Sequence, residues 1–205
     1  AHCRAADSGG EAAFILIYTL RPWLARDHLE QWHRICREAL DDPGAARPTL
    51  WRSRALYAAA FVAYLMGRYD ESRSWAEESL AIAVSCADGL VSGEAHCQLA
   101  AALLGLGSAD ALEHFEAGHA IGRALGNVEL MTFGATGMGE THALCDRYDL
   151  AEPWYAESLE LSRALDSPYH AALALYNLAR CSIVAGHRTI ARDQLREAIA
   201  LSGEA

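Results

Sequence analysis

The sequence contains no lysine, so its 17 basic residues are all arginines, against 27 aspartates and glutamates. The resulting net charge of −10 repels phosphate backbones and anionic lipid surfaces. No apolar run approaches the roughly 20 residues that a membrane-spanning helix needs, and the N-terminus lacks the pattern of a signal peptide. The sequence therefore argues against nucleic acid or a membrane as a partner, and we expect a cytoplasmic location.

Residues that favour strands are also scarce. Val, Ile and Thr together number 19, whereas alanine alone occurs 41 times. Alanine loses no side-chain entropy in a helix, while β-branched residues do. With 52% hydrophobic and 21% charged residues, the chain has the composition of a folded protein. The composition predicts an all-α fold.

No CxxC pair occurs among the cysteines. Disulfide frameworks are typical of short secreted chains rich in loops, and this chain is rich in helix formers. We interpret the cysteines as reduced thiols that mostly fill small apolar core positions. The six residues are Cys3, Cys36, Cys86, Cys97, Cys145 and Cys181.

A repeat of about 40 residues organises the chain. Each unit has an apolar helical segment, a tight polar break and a second helical segment. The breaks align at Gly67, Gly107, Asp146 and Gly186, and a weaker unit breaks at Asp27. This near-constant period indicates stacked helix pairs. We predict a single domain, 1–205, with repeat units of about 11–42, 50–87, 91–126, 130–166 and 168–202.

Turn and capping residues stand at the predicted boundaries. Ser167-Pro168 indicates an N-cap followed by proline at the first helical position. Asp149-x-x-Glu152 is similar to a capping box, and Asp88-Gly89 indicates a turn between two units.

The pattern of these units resembles the tetratricopeptide repeat (TPR). In the segment Arg54–Tyr69, a leucine is followed by small residues and then by Gly-x-Tyr, in the order of that family. The resemblance implies a right-handed superhelical array of antiparallel helix pairs. A HEAT-like or armadillo-like array has a period near 40 and is the alternative, but the Gly-x-Tyr break favours the TPR. The last unit repeats the pattern at Leu175, Leu178, Ala179, Gly186, Ala191, Leu195, Ala198 and Ile199.

Two segments carry a narrower resemblance. WAEESLAIA, Trp75 to Ala83, and YAESLELSRALDS, Tyr155 to Ser167, look like the extended repeats of actinobacterial transcriptional regulators with a signalling ATPase. Those regulators belong to the MalT-like LuxR class and the Streptomyces antibiotic regulatory protein class. The resemblance implies a fragment of a larger protein that serves as its sensor or interaction region.

The histidines and acidic residues do not form a recognisable catalytic or metal motif. His142 and Cys145 are three residues apart, which does not complete a ligand set. We interpret the histidines as buried or half-buried structural residues and predict no enzyme activity, no metal and no cofactor. Glu157 and Glu160, like the pair Glu77-Glu78, are expected on solvated faces of second helices.

A binding surface is implied by the TPR resemblance, because the first helix of each unit in that family lines a concave face. Aromatic residues and arginines dominate binding energy at interfaces. The groove would bind a protein, a peptide or a small effector. In an alternative interpretation, the aromatic stripe packs against Ile17, Trp23 and Leu24. The predicted groove residues are Arg54, Tyr57, Phe61, Tyr64, Glu140, Tyr176 and Arg180.

A second hypothesis for function is a structural scaffold or self-association module without a ligand groove. The apolar stretch Phe14–Ile17 would then mediate docking or a homodimer. The last helix, Thr189 to Ser202, is expected to act as a polar cap of the array.

Overall fold

The computed structural model describes residues 14–15 and 28–203 of the chain, and no strand occurs within them. Beyond a short 3-10 turn at Pro43–Ala45, residues 28–203 form nine α-helices. These are α1 (Leu29–Leu40), α2 (Leu50–Leu65), α3 (Tyr69–Ser85), α4 (Gly89–Gly105), α5 (Ala111–Leu125), α6 (Val128–Leu144), α7 (Tyr148–Ala164), α8 (Pro168–Val184) and α9 (Arg188–Ser202).

The helices follow one another as pairs joined by short turns, which confirms the predicted all-α fold. The pairs α2 with α3, α6 with α7 and α8 with α9 pack together, and a short turn also joins α4 to α5. Helix α1 occupies the second half of the predicted first unit, and most of the first half lies outside the described residues. The chain divides into two compact units, 1–111 and 112–205. No helix in the described part of the chain has the length and apolarity of a membrane span.

Each of the four strong breaks predicted from the repeat holds a residue in the left-handed backbone region. The φ angles are 71° at Gly67, 73° at Gly107, 57° at Asp146 and 80° at Gly186. A left-handed residue after the last helical turn lets the next two N–H groups bond back to orphan carbonyls. Arg68 N–H, for example, donates to Ala63 O at 2.9 Å. The repeat is therefore punctuated by αL helix caps.

Three of the four first helices are capped differently from the second helices, and the exception is α8, whose N-cap Ser167 makes no side-chain cap bond. The side chains of Thr49, Asp88 and Asn127 accept hydrogen bonds from backbone N–H groups in the first turns of α2, α4 and α6. The second helices α3, α7 and α9 begin without a side-chain cap. The N-cap residues of these second helices are Arg68, Arg147 and His187, and none of their side chains accepts a hydrogen bond from the first turn.

The structure confirms one of three predicted helix boundaries and corrects the other two. Ser167 is the N-cap of α8 and Pro168 its first residue, as expected. The predicted capping box at Asp149 is wrong, because α7 already begins at Tyr148 and Arg147 takes the cap position. Gly89 is likewise a helical residue, and the left-handed residue of that turn is Ala87, with φ 54°.

Small residues allow neighbouring helices to approach closely, both within a pair and between α3 and α4. Ala151 and Ala191, which the register places where paired helices touch, are both buried. In unit 112–205, a Cβ on Gly139 would lie 2.6 Å from the ring of Tyr155. In unit 1–111, a Cβ on Gly105 would meet the ring of Tyr69 at 2.5 Å. Interior packing at this density leaves no space for an added methyl group.

Candidate functional site

Four of the predicted groove residues lie on α2, in unit 1–111. Tyr57, Phe61 and Tyr64 are half-buried, four and three residues apart, so they share one face of the helix. The guanidinium of Arg54 lies over the ring of Trp51, 4.9 Å from its centroid. The alternative packing against Ile17, Trp23 and Leu24 falls outside the described residues.

Tyr64 also contacts the second helix of its own pair. Its ring centroid lies 5.7 Å from that of Tyr69, the first residue of α3. The aromatic stripe of α2 thus combines packing against α3 with partial exposure.

The other three predicted residues lie in unit 112–205, where Arg180 is the centre of a polar cluster. The guanidinium of Arg180 lies over the ring of Tyr148, 6.0 Å from its centroid. Its Nη1 donates a hydrogen bond to Asn177 Oδ1 at 3.2 Å. Tyr176, on the same helix, is exposed. The cluster therefore combines Arg180, Asn177 and Tyr176 of α8 with Tyr148 of α7.

Glu140 of α6 belongs to the same cluster. Burial raises the pKa of its carboxyl above the ordinary value, and the charge of Arg180 partly offsets that rise. Burial, followed by the charge of Glu140, raises the pKa of the Tyr155 hydroxyl. These mutual influences show that Glu140, Tyr155 and Arg180 lie near one another.

Two buried polar atoms beside Arg180 lack a hydrogen-bond partner within the described part of the chain. They are Nδ2 of Asn177 and the hydroxyl oxygen of Tyr155. Asn177 is only 2% exposed. A buried donor without a partner costs about 1–3 kcal/mol, which a ligand acceptor could recover. Sequence reasoning missed both residues, because neither type signals a site at an internal helix position.

The acidic residues of the second helices are only partly as predicted. Glu77 and Glu160 are exposed, but Glu157 is half-buried and lies 3.1 Å from the Nε2 of His119. The prediction of a solvated face was wrong for Glu157, because α5 and α7 bring the buried His119 alongside it. His33 and Glu71 form the same contact at 2.6 Å.

Most of the described cysteine thiols are buried and are therefore not accessible to reagents. The described cysteines form no disulfide, and three of them, Cys36, Cys97 and Cys181, are buried. Burial raises the pKa of Cys36 and of Cys97 to about 12. Cys86 and Cys145 are exposed, so the predicted core role holds for three of the five described cysteines. Within residues 14–15 and 28–203, no group of three or more His, Cys, Asp or Glu residues could hold a metal.

Comparison with protein families supports the TPR prediction for the second half of the chain. Residues 131–204 match the tetratricopeptide repeat family. This segment runs from the first turn of α6 to the end of α9. Comparison of the sequence with curated proteins gave no match.

Solved structures with a similar fold share little sequence with this chain. A Rap protein complexed with Competence and Sporulation Factor is 14% identical, with a TM-score of 0.79 over 92% of this chain. Aspartyl phosphate phosphatase F from Bacillus subtilis is 15% identical, with a TM-score of 0.77 over 95%. The chain spans 54% and 52% of those two proteins, about half of each.

A third similar structure carries TPR-like repeats by its own description. It is a kinesin light chain repeat protein from Podosopora anserina, 13% identical, with a TM-score of 0.69. The match covers 94% of this chain and 96% of that one. These likenesses establish a TPR-like helical fold.

Proposed function

We propose that this chain is a non-catalytic TPR module that binds a peptide, a protein domain or a small effector through the first helices of its pairs. Arg54, Tyr57, Phe61 and Tyr64 form the binding residues of unit 1–111. Glu140, Tyr176 and Arg180 form those of unit 112–205, together with Asn177.

The observation that carries this proposal is the arrangement around Arg180. Its guanidinium lies over Tyr148 and beside the buried amide nitrogen of Asn177, which has no hydrogen-bond partner among residues 14–15 and 28–203. A cation, an amide donor and aromatic rings together favour a partly apolar ligand with an anionic group. The net charge of −10 repels anions at long range, so the cluster acts at short range and affinity falls with salt.

The comparisons support a binding role more than a catalytic one. One structural neighbour is a Rap protein in complex with Competence and Sporulation Factor, which shows a similar fold holding a partner. Another neighbour is a phosphatase by name, but a fold does not carry an activity with it. In this chain, the raised pKa values of Cys36 and Cys97 leave those thiols protonated and unsuited to nucleophilic attack.

The larger context we propose is a cytoplasmic bacterial transcriptional regulator, with this chain as its sensor or interaction region. The support is the sequence of Trp75–Ala83 and Tyr155–Ser167, which resembles the extended repeats of such regulators. The full reading frame of the gene tests this context directly. An upstream P-loop ATPase would support it, and a frame without any regulator domain would contradict it.

A further part of the proposal is a homodimer formed through the apolar N-terminal stretch. Phe14 is buried among the side chains of the first core, which includes Trp32 and Leu56. Ile15 is exposed. Of the described residues of that stretch, Ile15 is therefore the one that remains accessible to a partner.

Selection from a random phage-displayed peptide library against the whole chain provides the probe. The selected peptide is then titrated with the parent and with Arg180→Ala, Tyr57→Ala and Arg163→Ala. Arg163 is an exposed arginine of α7, paired with Glu160 and Glu197, and serves as the matched control. We expect Arg180→Ala to weaken binding by about tenfold or more and to leave the chain folded, with some loss of stability because Asn177 Oδ1 loses its donor. We expect Tyr57→Ala to weaken binding and also to lower stability.

If the peptide binds Arg180→Ala and Tyr57→Ala as tightly as the parent, the groove assignment fails. A scaffold role without a ligand groove would then account for the fold.

A further inference from the structure

Helices α8 and α9 form an uncovered apolar groove of about 410 Å³. Ile183, Leu195 and Ile199 line it, and Ala191 is also part of its lining. Ile183 and Ile199 are 57% and 71% exposed. We call this surface the α9 face. It contradicts the expectation that the last helix is a polar cap, because the arginines and acids of α9 leave this apolar strip open.

The same register positions one repeat earlier are covered. Leu159 occupies in α7 the position of Ile199 in α9, and it is 7% exposed. Ala143 corresponds to Ile183 and is 5% exposed. The apolar side chains of the α9 face therefore stand where the repeat places residues beneath a further helix.

Helix α8 shows what such a covering helix looks like. Its residues Ala171, Ala174, Leu175 and Leu178 form one buried cluster with Leu159 of α7. Two small residues and two leucines thus lie along one side of the covering helix. A helix with this spacing would fit the α9 face, because the underlying positions follow the same register.

The charges differ between the two surfaces, and this difference defines the partner. Arg180 of α8 lies over Tyr148, whose register counterpart on the α9 face is Arg188. Cys181 of α8 is close enough to Glu152 for that carboxylate to raise its pKa, and the counterpart of Glu152 is Arg192. A covering helix therefore meets arginines where α8 meets a tyrosine and a glutamate.

We propose that the α9 face binds an acidic amphipathic helix of a partner protein, seated as α8 is seated on α7. The partner helix presents an alanine-leucine stripe to Ile183, Leu195 and Ile199. Its carboxylates occupy the register positions of Arg180 and Cys181 and pair with Arg188 and Arg192. This surface is separate from the groove residues of the proposed function and does not depend on them.

The probe is a fluorescein-labelled peptide with the 17-residue sequence of α8, Pro168–Val184, carrying Arg180→Glu and Cys181→Glu. A matched neutral peptide carries Arg180→Gln and Cys181→Gln. Both peptides are titrated by fluorescence anisotropy against the whole chain. The protein variants are Ile199→Ser, the double variant Arg188→Glu/Arg192→Glu, and Arg123→Glu on α5 as a control.

We expect the acidic peptide to bind the parent at least about tenfold more tightly than the neutral peptide, with an advantage that shrinks as salt rises. Ile199→Ser should weaken both peptides, because it removes apolar contact. The double arginine variant should abolish the preference for the acidic peptide, whereas Arg123→Glu should retain it. Ile199 is exposed, so its replacement leaves the fold intact.

Three results would overturn the proposal. The first is that the acidic peptide does not bind the parent, and the second is that it binds the double arginine variant as tightly as the parent. The third is sedimentation data in which the chain dimerises and Ile199→Ser abolishes the dimer. A second copy, rather than a partner helix, would then be the occupant of the α9 face.

Discussion

His119 and Glu157 face each other across two second helices, with Nε2 and Oε1 3.1 Å apart. His33 and Glu71 make the same kind of contact, and in each pair the histidine and the glutamate are 38 residues apart in sequence. A tryptophan ring packs on each histidine, Trp154 on His119 and Trp75 on His33. The two contacts share their chemistry and a tryptophan neighbour, although they do not lie at equivalent positions of the 40-residue repeat.

We expect Glu157→Ala to lower the free energy of unfolding by about 1–3 kcal/mol, because it leaves the buried His119 without its carboxylate partner. Glu160→Ala is the matched control, since Glu160 is exposed and pairs only with Arg163 among the described residues. This control should cost no more than about 0.5 kcal/mol. Urea unfolding at neutral pH measures both. Equal losses in the two variants would contradict a structural role for the His119 contact.

The αL position after α3 offers a stabilising substitution. Ala87 has φ 54°, a conformation in which the Cβ of an L-residue crowds the following carbonyl. Ala87→Gly should therefore raise the free energy of unfolding by about 1 kcal/mol. Ala185→Gly is the control, because Ala185 has φ −72° and gains nothing from glycine. Thermal melts that rank the two variants in the opposite order would refute the cap geometry.

At Gly139, α6 packs closely against the Tyr155 side chain of α7. Gly139→Ala would place a Cβ 2.6 Å from the ring of the fully buried Tyr155, and we expect a loss of about 1–3 kcal/mol. Gly203→Ala is the control, because its Cβ would meet nothing closer than Ala200 O at 3.6 Å. A parent-like melting temperature for Gly139→Ala would show that α6 and α7 are not packed as described.

Burying the Glu140 carboxyl lowers the stability of the folded chain by an amount that depends on pH. Its pKa is raised by burial in the folded chain, so the folded state binds the proton more tightly than the unfolded state. Stability from this group is therefore present below the ordinary carboxyl pKa and is lost as pH rises towards the folded value. We expect Glu140→Gln to be more stable than the parent at about pH 7 and equal to it at about pH 4. A variant that is less stable than the parent at neutral pH would contradict this account.

The helix pairs could be predicted because their signals are local. Gly67, Gly107 and Gly186 mark the turns by residue type, and Asp146 follows from the period. Ala87 could not be found in this way, because alanine carries no preference for the left-handed region. The neighbouring Asp88-Gly89 suggested a turn one residue too late, since Asp88 instead caps α4.

The members of the candidate site that could be predicted are Arg180, Tyr176 and Glu140. Arg180 and Tyr176 follow from the register of first helices, as expected for residue types common at interfaces. Asn177 and Tyr155 could not be identified, because their missing hydrogen bonds depend on how three helices pack. Glu157 was misjudged for the same reason, since its partner His119 comes from another helix pair.

The central claim is that ligand binding occurs at the Arg180 cluster, and asparagine NMR tests it most directly. The chain has two asparagines, Asn127 and Asn177, so selective ¹⁵N-asparagine labelling gives two side-chain amide groups. Asn127 caps α6 through its Oδ1 and serves as an internal reference. On titration with the selected peptide, we predict that the Asn177 side-chain signals shift and those of Asn127 do not. Saturating peptide that leaves the Asn177 signals in place would contradict binding at this cluster.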